Sequence, residues 1–269
     1  MRTPRNSPNE FDPLRFYNEK RVKEYARRTF LCPPEQRIIE KFSELWREWA
    51  LLDIGVGGGR TTRHFAPLVR RYVGLDYIPE MVDTCQRNFL RGYENCEFRV
   101  GDVRMLNGID DEEFNFLLFS YNGLGEVPSI DQEVALREMR RVIKKGGFLF
   151  FSQMNLLWVP DLFRFKFAKR PDRCMRQIRN TLRLRKHNPD WRKMSAEKQA
   201  ILFDYAYDLT QPRLFIEPRY QAEKLKLMGL SKIQIYLNST GEPWDMQNNE
   251  AIRHEPYVYY LAQRPMNES

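Results

Sequence analysis

Leu51-Leu52-Asp53-Ile54-Gly55-Val56-Gly57-Gly58-Gly59-Arg60-Thr61-Thr62 joins an apolar run to a cluster of glycines and a polar helix start. The apolar run at 50–54 has the composition of a strand buried on both faces. It ends in glycines, and a helical pattern follows over 60–66. Strand, glycine turn and helix in this order form a nucleotide-binding βα unit. The glycines let backbone approach a ligand closely, and the helix start offers free N–H groups to the ligand's polar end. Further on, Tyr72-Val73-Gly74-Leu75-Asp76 is a second apolar strand closing in a carboxylate. Asp76 follows Gly55 by 21 residues, the interval at which a ribose-binding acid is expected.

A dinucleotide fingerprint would need a third glycine where Arg60 stands. The run instead reads D-x-G-x-G-x-G, through Asp53, Gly55, Gly57 and Gly59. With the strands around it, this pattern resembles the class I S-adenosylmethionine-dependent methyltransferases over residues 16–155, and more loosely beyond. The resemblance implies an α/β, doubly wound fold. Its sheet would be mostly parallel and seven-stranded, with an antiparallel C-terminal strand pair and a helical cap insertion. It also implies S-adenosyl-L-methionine as cofactor, S-adenosyl-L-homocysteine as product, and no metal. By the same resemblance, Asp53, Gly55, Gly57 and Gly59 face the methionine end, Asp76 the ribose, and Tyr77 and Met81 the adenine pocket. Asp102 would accept from the adenine amino group while the Val103 N–H meets the ring. The reacting centre would fall on 120–127, with Ser120 on the cofactor side and Tyr121 and Glu126 on the acceptor side. The family's N-terminal helix presents a tyrosine over the cofactor; Tyr17 or Tyr25 matches, the latter towards the acceptor.

The remaining periodicities extend this frame. A helical pattern covers 14–30, and a second covers 34–49 with Ile38, Ile39, Phe42, Leu45 and Trp46 on one face. Apolar runs at 96–100 and 114–119 read as the third and fourth strands. A helix at 131–143 and a Gly146-Gly147 turn precede the fifth strand at 148–151. A helix fits 217–227, and β-rich runs at 232–237 and 257–262 suit the terminal pair. This divides the chain into N-terminal helices over 1–49, a core over 50–155 and 211–269, and a cap over 156–210.

Charge singles out that cap. Of the formal +8, residues 162–194 carry twelve basic side chains against Asp172 and Asp190. That window is +10, which leaves the rest of the chain at −2. Such a concentration of one sign is relieved by an anionic partner: an acidic small molecule, a nucleic acid, or the headgroups of a membrane touched peripherally. Cys32, Cys85, Cys96 and Cys174 show no C-x-x-C spacing. A reduced, cytoplasmic protein is expected from that, and a cysteine-held cluster is not. No 18-residue apolar run suggests a membrane span, and 1–13 lacks a signal-peptide h-region.

Methyl transfer needs alignment of three atoms, with a base only if the nucleophile must lose a proton. Many relatives place a histidine after the fourth strand; this chain has Glu126 there, and His187 in the cap is the next-ranked base. Tyr121 and Tyr207 join them on the acceptor side, with Arg179 and Arg183 as cap arginines for the acceptor. The expected reaction is methylation at oxygen or nitrogen of a small acidic or sugar-like acceptor. The alternative is an RNA or DNA methyltransferase using the basic cap for phosphates, although no Asn/Asp-Pro-Pro-Tyr signature follows the fourth strand. A third reading, a binding protein without catalysis, is opposed by the intact glycine turn and strand-end acids.

Overall fold

The computed structural model describes residues 19–165 and 170–267. Strands β1 (Ala50–Ile54), β2 (Arg71–Asp76), β3 (Cys96–Val100), β4 (Phe114–Phe119) and β5 (Ile143–Asn155) are all parallel, in the order β3-β2-β1-β4-β5. Two further strands, β6 (Gln199–Phe203) and β7 (Pro212–Ile216), form an antiparallel hairpin. The chain then closes with β8 (Ser231–Leu237) and β9 (Tyr257–Gln263), where β9 runs antiparallel to both β5 and β8. The expected seven-stranded sheet is therefore present, and the hairpin raises the described total to nine strands.

Helices cover both faces because successive strand residues point to opposite sides. On one face Leu52, Leu117 and Leu149 meet α5 (Gln132–Val142) and α9 (Pro218–Leu227) through Leu136, Met139 and Leu225. On the other, Leu51, Phe116 and Phe150 meet α2 (Pro33–Lys41), the turn after it and α4 (Pro79–Phe89). The partners there are Ile38, Phe42, Trp46, Val82 and Phe89. Short helices α1 (Glu19–Ala26) and α3 (Thr62–Phe65) precede and follow β1 in the chain; Phe65 joins this second cluster, and Val22 of α1 packs on Ile78 and Met81. The helix read over 34–49 breaks at Lys41 and resumes as a single 3-10 turn, Trp46–Glu48.

The insertion carries α6 (Val159–Leu162), α7 (Pro171–His187), α8 (Trp191–Met194) and then β6. The helical cap expected over 156–210 also carries a strand, β6, and the hairpin spans the boundary drawn at 211. Only Ala200 and Leu202 of β6 point inward, too short an alternation to stand out after an arginine-rich helix. The insertion has its own core, in which Phe163, Leu184, Leu202 and Phe215 pack beside Met154 of β5. The Phe163 and Trp191 rings stack within it, with centroids 4.6 Å apart.

The hairpin is placed by the length of β5. Phe119, the last residue of β4, pairs with Phe151, whereas Met154 pairs with Phe215 on one side and Tyr257 on the other. β7 thus continues the β4 edge beyond the end of β4. The hairpin consequently overhangs the carboxyl ends of the strands, where ligands of open α/β sheets bind.

Candidate active site

A cavity of about 440 Å³ opens at those strand ends. Its floor is the glycine turn after β1. Gly58 comes so near α1 that an added Cβ would lie 2.4 Å from the Ala26 Cα. That approach, open only to glycine, seats Tyr25 and Arg28 at the rim. The Arg28 guanidinium lies 4.1 Å from the Tyr25 ring centroid and 5.5 Å from that of Tyr121. Among the described residues, no carboxylate comes within ion-pair distance of it.

Asp53, Gly55, Gly57, Asp76, Tyr77, Met81, Asp102, Val103 and Ser120 all line this cavity. Gly59 does not. A Cβ there would meet the Phe89 ring at 2.1 Å, so this glycine lets the turn pack on α4 and plays no part in the cavity lining. Tyr17 lies outside the described residues. The Asp53 carboxylate accepts from Thr61 and, at 2.5 Å, from the Tyr72 hydroxyl. Burial raises its pKa to about 7, against the lowering effect of those hydroxyls. Asp76 accepts from the Gly57 N–H at 2.7 Å and the Ile78 N–H at 2.9 Å. Burial raises it to about 6, and the backbone donors pull the other way. Asp102 is held by Arg104, which also reaches Asp131.

Under the hairpin the cavity continues to Tyr121, Glu126, Ile201 and Arg213. Tyr121 and Asn122 both take left-handed backbone, φ 52° and 63°, a costly choice for residues with a Cβ. The neighbours over-determine it. The Ser152 hydroxyl accepts from the Asn122 N–H at 2.5 Å, and the Ser120 hydroxyl is tied to Glu35 and Tyr259. Glu126 is half-buried, and burial raises its pKa to about 7; Arg213 opposes that shift and Asp204 adds to it. Arg213 itself is paired with buried Asp204.

Between the two halves runs an ion pair with no counterpart in the sequence reading. Arg60 donates from both terminal nitrogens to the two oxygens of Glu35, at 2.6 Å each, and also to the Phe30 carbonyl at 3.0 Å. Glu35 is fully buried and Arg60 nearly so. Burial opposes the Arg60 charge, but the Glu35 carboxylate outweighs it and holds the guanidinium pKa above its ordinary value. In the sequence, Arg60 had registered only as a missing glycine. Pro33-Pro34-Glu35 did carry a signal: an acid at the third helical position, where it reaches back to the Cys32 N–H at 2.7 Å. Arg213, a lone cation in the apolar run 212–216, was the corresponding sign for the hairpin.

The cap arginines are not brought to the cavity. Arg179 is solvent-exposed on α7, Arg183 makes an exposed contact with Asp208, and neither lines the cavity. His187 is exposed at the end of α7, beside Phe203 and away from Glu126. The structure does not bring these three residues to the cavity: helical spacing orders the faces of α7 but does not say which of them meets it. Tyr207 falls in the 3-10 turn Ala206–Leu209, and its side chain lies outside the described part of the molecule.

Sheet order, glycine turn and strand-end acids define a Rossmann-like class I methyltransferase domain. Residues 51–147 match the model of a family described as a methyltransferase domain. An uncharacterized methyltransferase of Bacillus subtilis, YcgJ, is 33% identical over 112 residues, covering 41% of this chain and 42% of that protein. A ubiquinone biosynthesis O-methyltransferase of Xanthomonas oryzae is 30% identical over 105 residues, 39% of this chain and 43% of that one. The chain spans less than half the length of these curated relatives. A SAM-dependent methyltransferase structure from Methanosarcina mazei superposes with a TM-score of 0.54 at 16% identity, covering 86% of this chain and 98% of the other.

Proposed function

We propose that this chain transfers the methyl group of S-adenosylmethionine to the hydroxyl of a small, sugar-like acceptor. One observation carries the reading: a single cavity joins the glycine turn and strand-end acids to Glu126 beneath the β6–β7 hairpin. The cavity's donor set fits the cofactor. Asp76 suits the ribose hydroxyls, Asp102 and the Val103 N–H suit the adenine edge, and the exposed Tyr77 offers a ring for stacking. Arg28 supplies the cation for the methionine carboxylate, since α1 is docked on the glycine turn. When bound, S-adenosylmethionine supplies a methyl group made electrophilic by its sulfonium.

The rest is the work of this chain's own residues. The hairpin and the Tyr121 loop hold the acceptor and limit access of water. Glu126 stands where the acceptor hydroxyl's proton must go. A carboxylate with its pKa near 7 is matched to that task at neutral pH. The basic segment gives the cavity none of its arginines, which removes the ground for requiring an acidic acceptor. O-methylation by the Xanthomonas relative agrees with a hydroxyl acceptor.

The test is transfer of label from methyl-labelled S-adenosylmethionine to hydroxyl-bearing small molecules (sugars, phenols and hydroxy acids), with transfer RNA and duplex DNA in parallel. Label is expected in the small-molecule fraction. Label confined to nucleic acid would overturn the proposal.

A further inference from the structure

The +10 segment remains to be explained, since none of its described residues lines the cavity. Its main element, α7, packs inward through Thr181 and Leu184, both at least nine-tenths buried. Among the described residues nothing covers the opposite face. Arg176, Arg179 and Lys186 are exposed on it, Arg173 is exposed at the start of the helix in the row of Leu184, and Arg192 and Lys193 follow on α8. Among the described residues, none of these six cations has an acidic partner within ion-pair distance. Exposed on the same helix are Met175, at 69%, and Leu182, at 54%. They are seven residues apart, two turns of helix, so they lie in one row about 10 Å long. Arg179 stands between them in that row, and Lys186 continues it one turn beyond Leu182.

Like charges crowded without counterions, with apolar side chains standing among them, match the surface of an anionic bilayer. Arginines and lysines meet the lipid phosphates, while methionine and leucine enter the acyl boundary. A nucleic-acid backbone would satisfy the cations equally well but would leave Met175 and Leu182 in water. Among the described residues no helix is long and apolar enough to cross a membrane, so the contact is with the surface. Independently of which acceptor is methylated, we infer that the outer face of α7 docks the protein on membranes rich in anionic lipid.

The experiment is co-sedimentation of the whole chain with vesicles of phosphatidylglycerol and phosphatidylcholine, and with vesicles of phosphatidylcholine alone, at about 0.1 M salt. Binding is expected to the mixed vesicles and not to the neutral ones. The variant Arg176→Gln/Arg179→Gln/Lys186→Gln should bind roughly a hundredfold more weakly, about fivefold per cation. Met175→Ser/Leu182→Ser, which keeps every charge, should lose about tenfold. All these side chains are exposed, so circular dichroism should show both variants folded. No binding to the anionic vesicles would overturn the inference. So would unchanged vesicle affinity in Met175→Ser/Leu182→Ser, or tight binding to transfer RNA that exceeds binding to the vesicles.

Discussion

Replacing Arg60 with methionine is expected to lower the unfolding free energy by about 3–5 kcal/mol, the usual cost of leaving one partner of a buried ion pair without the other. The reason is the position of Glu35. Its carboxylate has no exposed surface, and both of its oxygens are occupied by the Arg60 guanidinium at 2.6 Å. Without Arg60, the Cys32 N–H and the Ser120 hydroxyl remain as donors, which cannot neutralise a buried charge. Removing both partners, as Glu35→Met/Arg60→Met, should recover most of the loss, because two apolar side chains of similar bulk leave no charge to desolvate. Urea unfolding at a common pH measures both variants. If Arg60→Met alone costs under 1 kcal/mol, the pair is not the brace described here. The variant should also disturb the site, since Glu35 fixes Ser120 at the start of the loop that lines the cavity.

Glu126→Gln is expected to reduce kcat for methyl transfer by about 10²- to 10⁴-fold, the usual contribution of a positioned general base. Gln keeps the size and polarity of the side chain while removing its proton affinity, so cofactor affinity should change little. The pH profile separates a base from a spacer. Burial raises the Glu126 pKa to about 7, with Arg213 opposing and Asp204 adding. A base works in its ionised form, so the wild-type rate should climb as pH rises through about 7 and level off above. In Glu126→Gln that limb should vanish along with most of the rate. Undiminished kcat with the limb intact would reassign Glu126 to packing beneath the hairpin.

The cofactor half of this site was legible in the sequence because its parts are local. A parallel strand buried on both faces must be an apolar run, and its ligand-facing residue must sit at its carboxyl end. Asp53, Asp76 and Asp102 could therefore be set at strand ends from the apolar runs, with their roles implied only by the resemblance, and all three line the cavity. Gly59 shows the limit of the motif: the position is glycine to clear Phe89 of α4, a contact between elements that the spacing cannot express. The acceptor half was less legible because it is assembled across the chain. Arg213 shares the cavity with Glu126 only because β5 is long enough to accept β7 beyond the end of β4. The cap arginines were assigned to the acceptor on charge alone, and charge has no direction until a helix is packed. Once Thr181 and Leu184 face inward, Arg179 must face outward.

Calorimetric titration with S-adenosylmethionine tests the central claim most directly, using wild type and Asp76→Ala. One molecule is expected to bind per wild-type chain, with no binding of NAD or NADP. The folded variant should lose about 1–3 kcal/mol, the cost of leaving hydroxyl donors without their acceptor. Equal affinity for S-adenosylmethionine in wild type and Asp76→Ala, or no binding to wild type, would contradict that claim.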